Sequence, residues 1–231
     1  MKLPLRNRRE AGILLAQELS ELHGSDDVIV LGLPRGGIPV AYEVALAVGA
    51  PLDAYIVRKL GMPGHEELAM GAIATGNVKI LNDDIIALAG VCEGAIEAVV
   101  AREKRELLRR ERLYRGTQTP PELRGRTVVL VDDGLATGAT MRAAVQAVHQ
   151  LGPRSVIVAV PVAALSVVRA FHNLVDCIVA TVTPDQFHAL GVWYEDFSQT
   201  TDVEVCDLLT KAATREQITQ SPTRSSSASG R

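Results

Sequence analysis

The chain is 231 residues long and 47% apolar, enough to bury one substantial α/β core with an elaboration rather than two equal domains. A formal charge of −3 and an isoelectric point near 6.0 leave no global basic field, which argues against nucleic acid as the principal partner. No uninterrupted apolar run approaches the roughly 18 residues that a bilayer span requires, and the stretch from Ala11 to Ala16 behind Arg6, Arg8 and Arg9 is too short for a signal-peptide core, so a cytoplasmic protein with no membrane partner is expected.

From Asn7 to Leu22, Ile13, Leu14, Leu15, Leu19 and Leu22 form a helical stripe that His23-Gly24-Ser25 stops. Val28 to Leu33 is a continuous apolar strand, followed by Pro34-Arg35-Gly36-Gly37 and a helix from about Ile38 to Val48. Two consecutive glycines let backbone approach an anion closely, and Arg35 adds a planar, permanent charge. A Gly-Gly turn after a strand is common, so this signal gains weight only from its order relative to the later Asp-Asp strand. Asp53 to Val57 reads as a third short strand ending in Arg58-Lys59, a cationic pair placed where parallel sheets bind ligands. Leu60 to Glu67, with two glycines and a proline, reads as a mobile loop, and Met70 to Ala74 with Val78 to Leu81 as a hairpin around Thr75-Gly76-Asn77. Cys92 to Arg115 carries mixed charges at three- and four-residue spacing, the pattern of an exposed helix, and Gly116 to Pro121 is a linker.

The most informative stretch runs from Val128 to Thr140: four aliphatic residues, Asp132-Asp133, a turn of small residues, and a helix beginning near Met141. Small residues let the backbone close on a ligand, and the free N–H groups at the helix start make an anion site sized for phosphate. Two carboxylates cannot wrap that phosphate as well; they accept strongly from hydroxyls, and a ribose diol is their natural partner. The same pattern also describes a plain helix N-cap at the switch point of a parallel sheet.

The remainder alternates again: a helix to Leu151 ended by Gly152-Pro153, a strand from Val156 to Pro161, a helix from Ala164 to Phe171 and a strand from Cys177 to Ala180. This predicts an α/β fold with a doubly wound parallel sheet. Thr183 to Leu209 departs from the alternation and gathers Phe187, Trp193, Tyr194 and Phe197, which could cap the core or stack on a planar base. Residues 1–213 are expected to form one domain and 214–231, polar and rich in Ser and Thr, a disordered tail. Cys92, Cys177 and Cys206 are widely spaced and suggest neither a disulfide frame nor a zinc site.

The stretch from Val128 to Thr140 resembles the signature of the type I phosphoribosyltransferases, departing from it at Gly134, where that family has an aliphatic residue or Ser. Leu33-Pro34-Arg35-Gly36-Gly37, Arg58-Lys59-Leu60-Gly61 and Trp193-Tyr194-Glu195-Asp196-Phe197 are similar to a bacterial subgroup of that family, which usually opens Phe-x-Asp-Arg where this chain has Leu5, Asn7 and Arg8. The resemblance implies a 5-phosphoribosyl-1-pyrophosphate (PRPP) site. In it Asp132 and Asp133 hold the ribose hydroxyls, Ala136, Thr137, Gly138, Ala139 and Thr140 the 5-phosphate, and Arg35, Gly36, Gly37, Arg58 and Lys59 the pyrophosphate. It further implies Mg²⁺ as cofactor, closure of residues 60–80 over the substrate, and a hood, mainly 183–210, whose Trp193 and Tyr194 face a small nitrogenous acceptor. The expected reaction is displacement at ribose C1 by a nitrogen with pyrophosphate leaving, and the alternative is a regulatory protein that binds PRPP or a nucleotide without turnover. A P-loop NTPase is disfavoured because no lysine precedes Thr140 in the turn. A homodimer is compatible with the sequence but not specified by it.

Overall fold

The protein is described here by a computed structural model covering residues 3–220. Its centre is a five-stranded parallel sheet in which every residue of strands β1 (Val28–Gly32) and β6 (Thr127–Val131) is buried. The order is β2-β1-β6-β7-β8, with β2 (Leu52–Ala54), β7 (Ser155–Val162) and β8 (Cys177–Val182) completing it. Because strand side chains alternate, Ile29, Leu31, Val128 and Leu130 enter one core with Met141, Ala144 and Val148 of helix α5 (Ala139–Gln150). Val28, Val30, Val129 and Val131 enter the other core with α1 (Arg8–Gln17) and α2 (Gly37–Val48). Helices on both faces make the sheet doubly wound, as its near-continuous aliphatic strands require. Among the described residues, no helix is long and apolar enough to cross a membrane.

The third predicted strand is in fact two. The chain pairs through β2 and then leaves the parallel sheet, so Arg58 and Lys59 lie inside β3 (Val57–Met62) of a separate antiparallel sheet with β4 (His65–Ala74) and β5 (Val78–Leu81). The hairpin is present as read, but Leu60 to Glu67 is strand, turn and strand rather than a loop. Gly61, which reads as a breaker, serves a close strand approach: a Cβ there would lie 2.7 Å from the Glu66 carbonyl oxygen.

After α3 (Asp83–Ala89), helix α4 (Glu93–Arg115) packs more than its charge pattern suggests, burying Val99, Glu103, Leu107 and Tyr114. Val99, Leu107 and Tyr114 join a third core with Leu60 and Met70 of the antiparallel sheet and Val205 of α7 (Asp202–Gln220). Thus 214–220 continues as helix where a disordered tail is expected, and 221–231 lies outside the described residues. A short α6 (Leu165–Phe171) links β7 to β8, and residues 183–201 run back across the sheet's carboxyl end to meet the N-terminal segment, where Leu5 bridges to Tyr194.

Candidate functional site

From β1 the chain moves outward one way, to β2, and from β6 the other way, to β7 and β8, so the carboxyl ends of β1 and β6 flank the switch point where such sheets bind ligands. There the Leu33 amide donates to the Val131 carbonyl at 2.8 Å. The glycine turn and the acid pair, distant in sequence, are in direct contact. A Cβ on Gly37 would lie 2.7 Å from the Val131 carbonyl oxygen and 2.9 Å from Asp132 Cα, and one on Gly36 would lie 2.1 Å from Asp133 Oδ2. Both glycines are therefore spatial requirements. Arg35, joined to Pro34 by a cis peptide, is half-buried, and its side chain makes no ion pair or hydrogen bond among the described residues.

Asp132 keeps part of its surface open, and its Oδ1 accepts from the Asp133 amide at 2.9 Å. Dense protein around it, and next the charge of Asp133, hold its carboxyl well above the usual carboxylate range; its backbone hydrogen bond and Arg8 oppose the rise. Asp133 is buried, with Oδ2 accepting from Arg8 Nε at 2.7 Å and its carbonyl accepting from the Tyr194 hydroxyl at 2.6 Å.

Beyond the acids, Leu135 is tied to β7 by its amide, which donates to Val162 at 2.8 Å, leaving Ala136 and Thr137 exposed. Gly138 adopts φ 71°, a left-handed conformation that suits glycine, and α5 begins at Ala139. Among the described residues, the amides of Thr137, Gly138 and Thr140 have no acceptor, and Thr140 is exposed. Such a cluster of outward amides at a helix start is an anion cradle. Gly134, the one departure from the signature, makes room for residues 183–201: a Cβ there would lie 2.2 Å from Leu190 Cδ1.

The cationic pair is divided, because consecutive strand residues face opposite ways. Arg58 turns to α4, where its Nη2 and Nε reach Glu103 Oε2 at 2.6 and 2.9 Å. Lys59 is exposed and pairs in register with Ala72, which with Ile80 lines a cavity of about 670 Å³. The opposite wall of that cavity holds Thr137, Ala139 and Arg142, so Lys59 lies on the anion-cradle face of the sheet and Arg58 does not.

The aromatic segment is also divided in role. Tyr194 is 5% exposed and its ring lies 5.0 Å from Phe197, so it supports Asp133 from behind rather than offering an open face. Trp193 is half-buried, and its backbone oxygen accepts from the Leu5 amide.

Arg8 is the site residue that sequence reasoning missed. Asn7 caps α1 by accepting from the Glu10 amide, and Glu10 reaches back to the Arg6 amide, so Asn7, like an Asp at that position, supplies a capping oxygen. That cap makes Arg8 the first helical residue. A cation there opposes the helix dipole, which was the available signal that a carboxylate from elsewhere compensates it.

Among the described residues, no three His, Cys, Asp or Glu side chains gather into a metal-holding cluster. Mg²⁺ is often held by one or two carboxylates, waters and a ligand's phosphates. The neighbouring acids fit an ion that arrives on a polyphosphate.

The sequence profile of the phosphoribosyl transferase domain matches residues 6–173. The chain belongs to the phosphoribosyltransferase family. It is 46% identical over 207 residues to a Mycobacterium tuberculosis protein with a provisional phosphoribosyl transferase name, covering 89% of this chain and 46% of that one. The chain thus spans about half the length of that relative. It also resembles the crystal structure of the TT1426 protein from Thermus thermophilus, with a TM-score of 0.80 and 43% identity over 90% of this chain and 99% of that one. A protein named bifunctional protein PyrR from Leifsonia xyli is 32% identical over 144 residues, 62% of this chain and 61% of that one. The five-stranded parallel sheet belongs to a fold shared with the TT1426 protein.

Proposed function

We propose that this phosphoribosyltransferase-family chain moves the 5-phosphoribosyl group of PRPP onto a nitrogenous acceptor of the nucleobase class and releases pyrophosphate. The single observation that carries this reading is the direct packing of the Gly36-Gly37 turn on Asp132-Asp133, with the open amides of Thr137, Gly138 and Thr140 one turn further on. That order matches the pyrophosphate, ribose and 5-phosphate of one ligand.

In the proposed reaction the acceptor nitrogen forms a bond to ribose C1, the bond from C1 to the pyrophosphate oxygen breaks, and the acceptor gives up a proton. Charge develops on the sugar and on the departing oxygen, so positioning and electrostatics carry the rate rather than a covalent intermediate. Asp132 and Asp133 accept from the 2- and 3-hydroxyls and fix the ring. Amides of Ala136 to Thr140, with the Thr137 and Thr140 hydroxyls, hold the 5-phosphate, while Arg35 and Lys59 face the departing anion. Arg58 serves by holding α4 to the antiparallel sheet through Glu103. Mg²⁺, arriving with the polyphosphate beside Asp132 and Asp133, would supply charge neutralisation on the leaving group. A cytoplasmic location accords with such substrates.

The test incubates the full chain with PRPP, Mg²⁺ and a panel of purine and pyrimidine bases. Acceptor-dependent pyrophosphate, matched one to one by nucleoside monophosphate, is expected. Heat of PRPP binding without pyrophosphate under any acceptor would overturn turnover in favour of a regulatory protein that binds the same ligand.

A further inference from the structure

Three distant pieces of chain meet on one guanidinium. Arg8 donates through Nε to Asp133 Oδ2 at 2.7 Å and through Nη1 to the Ser198 carbonyl at 2.7 Å, and its Cζ lies 4.0 Å from the centre of the Phe197 ring. Phe197 stacks on Tyr194, whose hydroxyl returns to the Asp133 carbonyl at 2.6 Å. The result is a closed circuit from an acid of the ribose site, through α1, to residues 194–198 and back. Arg8 and Asp133 keep only 12% and 13% of their side-chain surface, so little water is available to screen the pair. A lysine could not reproduce this arrangement, because only a planar fork bonds a carboxylate and a carbonyl while lying on a ring.

We infer that Arg8 is a positioning residue that reports occupancy of Asp132-Asp133 to residues 193–198. This rests on the reading of those acids as a sugar-diol site. A hydroxyl donating to the Asp133 carboxylate takes a share of the charge that holds Arg8. The guanidinium then shifts its balance toward Ser198 and Phe197, and the segment they belong to resettles. Any acceptor seated against that segment meets a different surface before and after the sugar phosphate binds.

The chain's single tryptophan, Trp193, lies in this segment and reports on it without labelling. The full chain is titrated with ribose 5-phosphate, following heat and Trp193 emission together, with arabinose 5-phosphate as the control whose 2-hydroxyl is inverted. In the parent protein the two signals share one midpoint and arabinose 5-phosphate binds about tenfold more weakly, the loss expected for one charge-assisted hydrogen bond. R8Q retains binding weakened by about tenfold and loses most of the emission change. R8K recovers affinity more than emission, because it restores charge and not the bridge. F197L, which leaves the Arg8–Asp133 pair in place, binds within about threefold of the parent and has a reduced emission change. Thermal melts identify a variant that fails to fold, in which case R8K and F197L decide. Parent binding without an emission change, or R8Q binding with the full change, overturns the coupling alone. Absence of any heat with the parent protein overturns the ribose site itself, and the coupling with it.

Discussion

Gly36 and Asp133 stand so close that any side chain on the glycine would occupy the carboxylate's own position, 2.1 Å from Oδ2. The glycine turn after β1 therefore sets the distance between the two ligand-facing loops. Gly36→Ala meets a side chain that can rotate away, at the cost of its orientation. Gly37→Ala meets the Val131 carbonyl oxygen at 2.7 Å and Asp132 Cα at 2.9 Å, backbone that cannot yield. Overpacking costs about 1–3 kcal/mol, and G37A is expected at or above the upper end and G36A at the lower. G36A should nonetheless lose about tenfold or more in ribose 5-phosphate affinity, the value of a displaced charged acceptor. Denaturant melts and calorimetry on the two variants check the contrast; equal stability losses would refute it.

Arg58 and Lys59 should separate by phenotype. Removing Arg58 strands Glu103, whose side chain is 9% exposed, although Arg102 Nε still reaches Glu103 Oε1 at 3.0 Å. Arg58→Ala is expected to cost about 1–3 kcal/mol of stability, while Arg58→Leu combined with Glu103→Leu recovers much of it, since an apolar pair often replaces an ion pair without loss. Lys59→Ala should leave stability within about 0.5 kcal/mol, as exposed substitutions do, and lower pyrophosphate release. A double-mutant cycle read by melting, beside the pyrophosphate assay, decides. An Arg58→Ala protein of unchanged stability that no longer releases pyrophosphate would return Arg58 to the ligand.

These contrasts show what the sequence made legible. Val28 to Gly37 and Val128 to Thr140 could be read because strand, turn and helix start are local, and each turn's chemistry is written in consecutive residues. Arg58 was misplaced because Gly61 and Gly64 look like breaks. Only the antiparallel partner shows that Gly61 permits a strand to pass close to Glu66. The packing of α4 was hidden for a related reason: its sparse apolar residues suffice to meet a sheet that the sequence did not reveal as a sheet. Arg8 was harder still, since its carboxylate lies 125 positions away and its aromatic partner is in the final quarter of the chain. Contacts of that separation are set by topology, and composition and periodicity carry no trace of them.

Asp132 should trade stability for binding. Burial raises its carboxyl pKa in the folded protein well above the unfolded value. The folded state therefore takes up the proton first as pH falls, and stability from this group is lost as pH rises from the unfolded value through the raised folded one. At neutral pH the acid's burial is a net cost to folding, so Asp132→Asn, which keeps an oxygen for the Asp133 amide, should melt higher than the parent. That advantage should shrink as pH falls toward about 4, the ordinary carboxylate value. Binding runs the opposite way, because an ionised carboxylate accepts from a diol more strongly than its acid does. The preference for ribose 5-phosphate over 2-deoxyribose 5-phosphate, a ratio in which the ligand's own phosphate titration cancels, should fall with pH well above the usual carboxylate range. Melting curves and paired calorimetry across pH test both signs. A D132N protein less stable than the parent at neutral pH would reverse the first.

The two neighbouring aromatics, Trp193 and Tyr194, should not behave alike. The Tyr194 hydroxyl satisfies a carbonyl inside the protein, and its ring is covered by Phe197. Tyr194→Phe is expected to cost about 1–2 kcal/mol, the penalty of an orphaned buried acceptor, and to weaken ribose 5-phosphate binding severalfold, without changing which bases are accepted. Trp193 keeps part of its surface open, and its indole N–H is buried with no partner among the described residues. Trp193→Ala should therefore raise the KM for the acceptor while leaving ribose 5-phosphate binding intact. Steady-state kinetics over the panel of bases separates the two. If Tyr194→Phe instead reorders the panel at unchanged stability, its hydroxyl reads the acceptor, and the buttress assigned to it behind Asp133 is wrong.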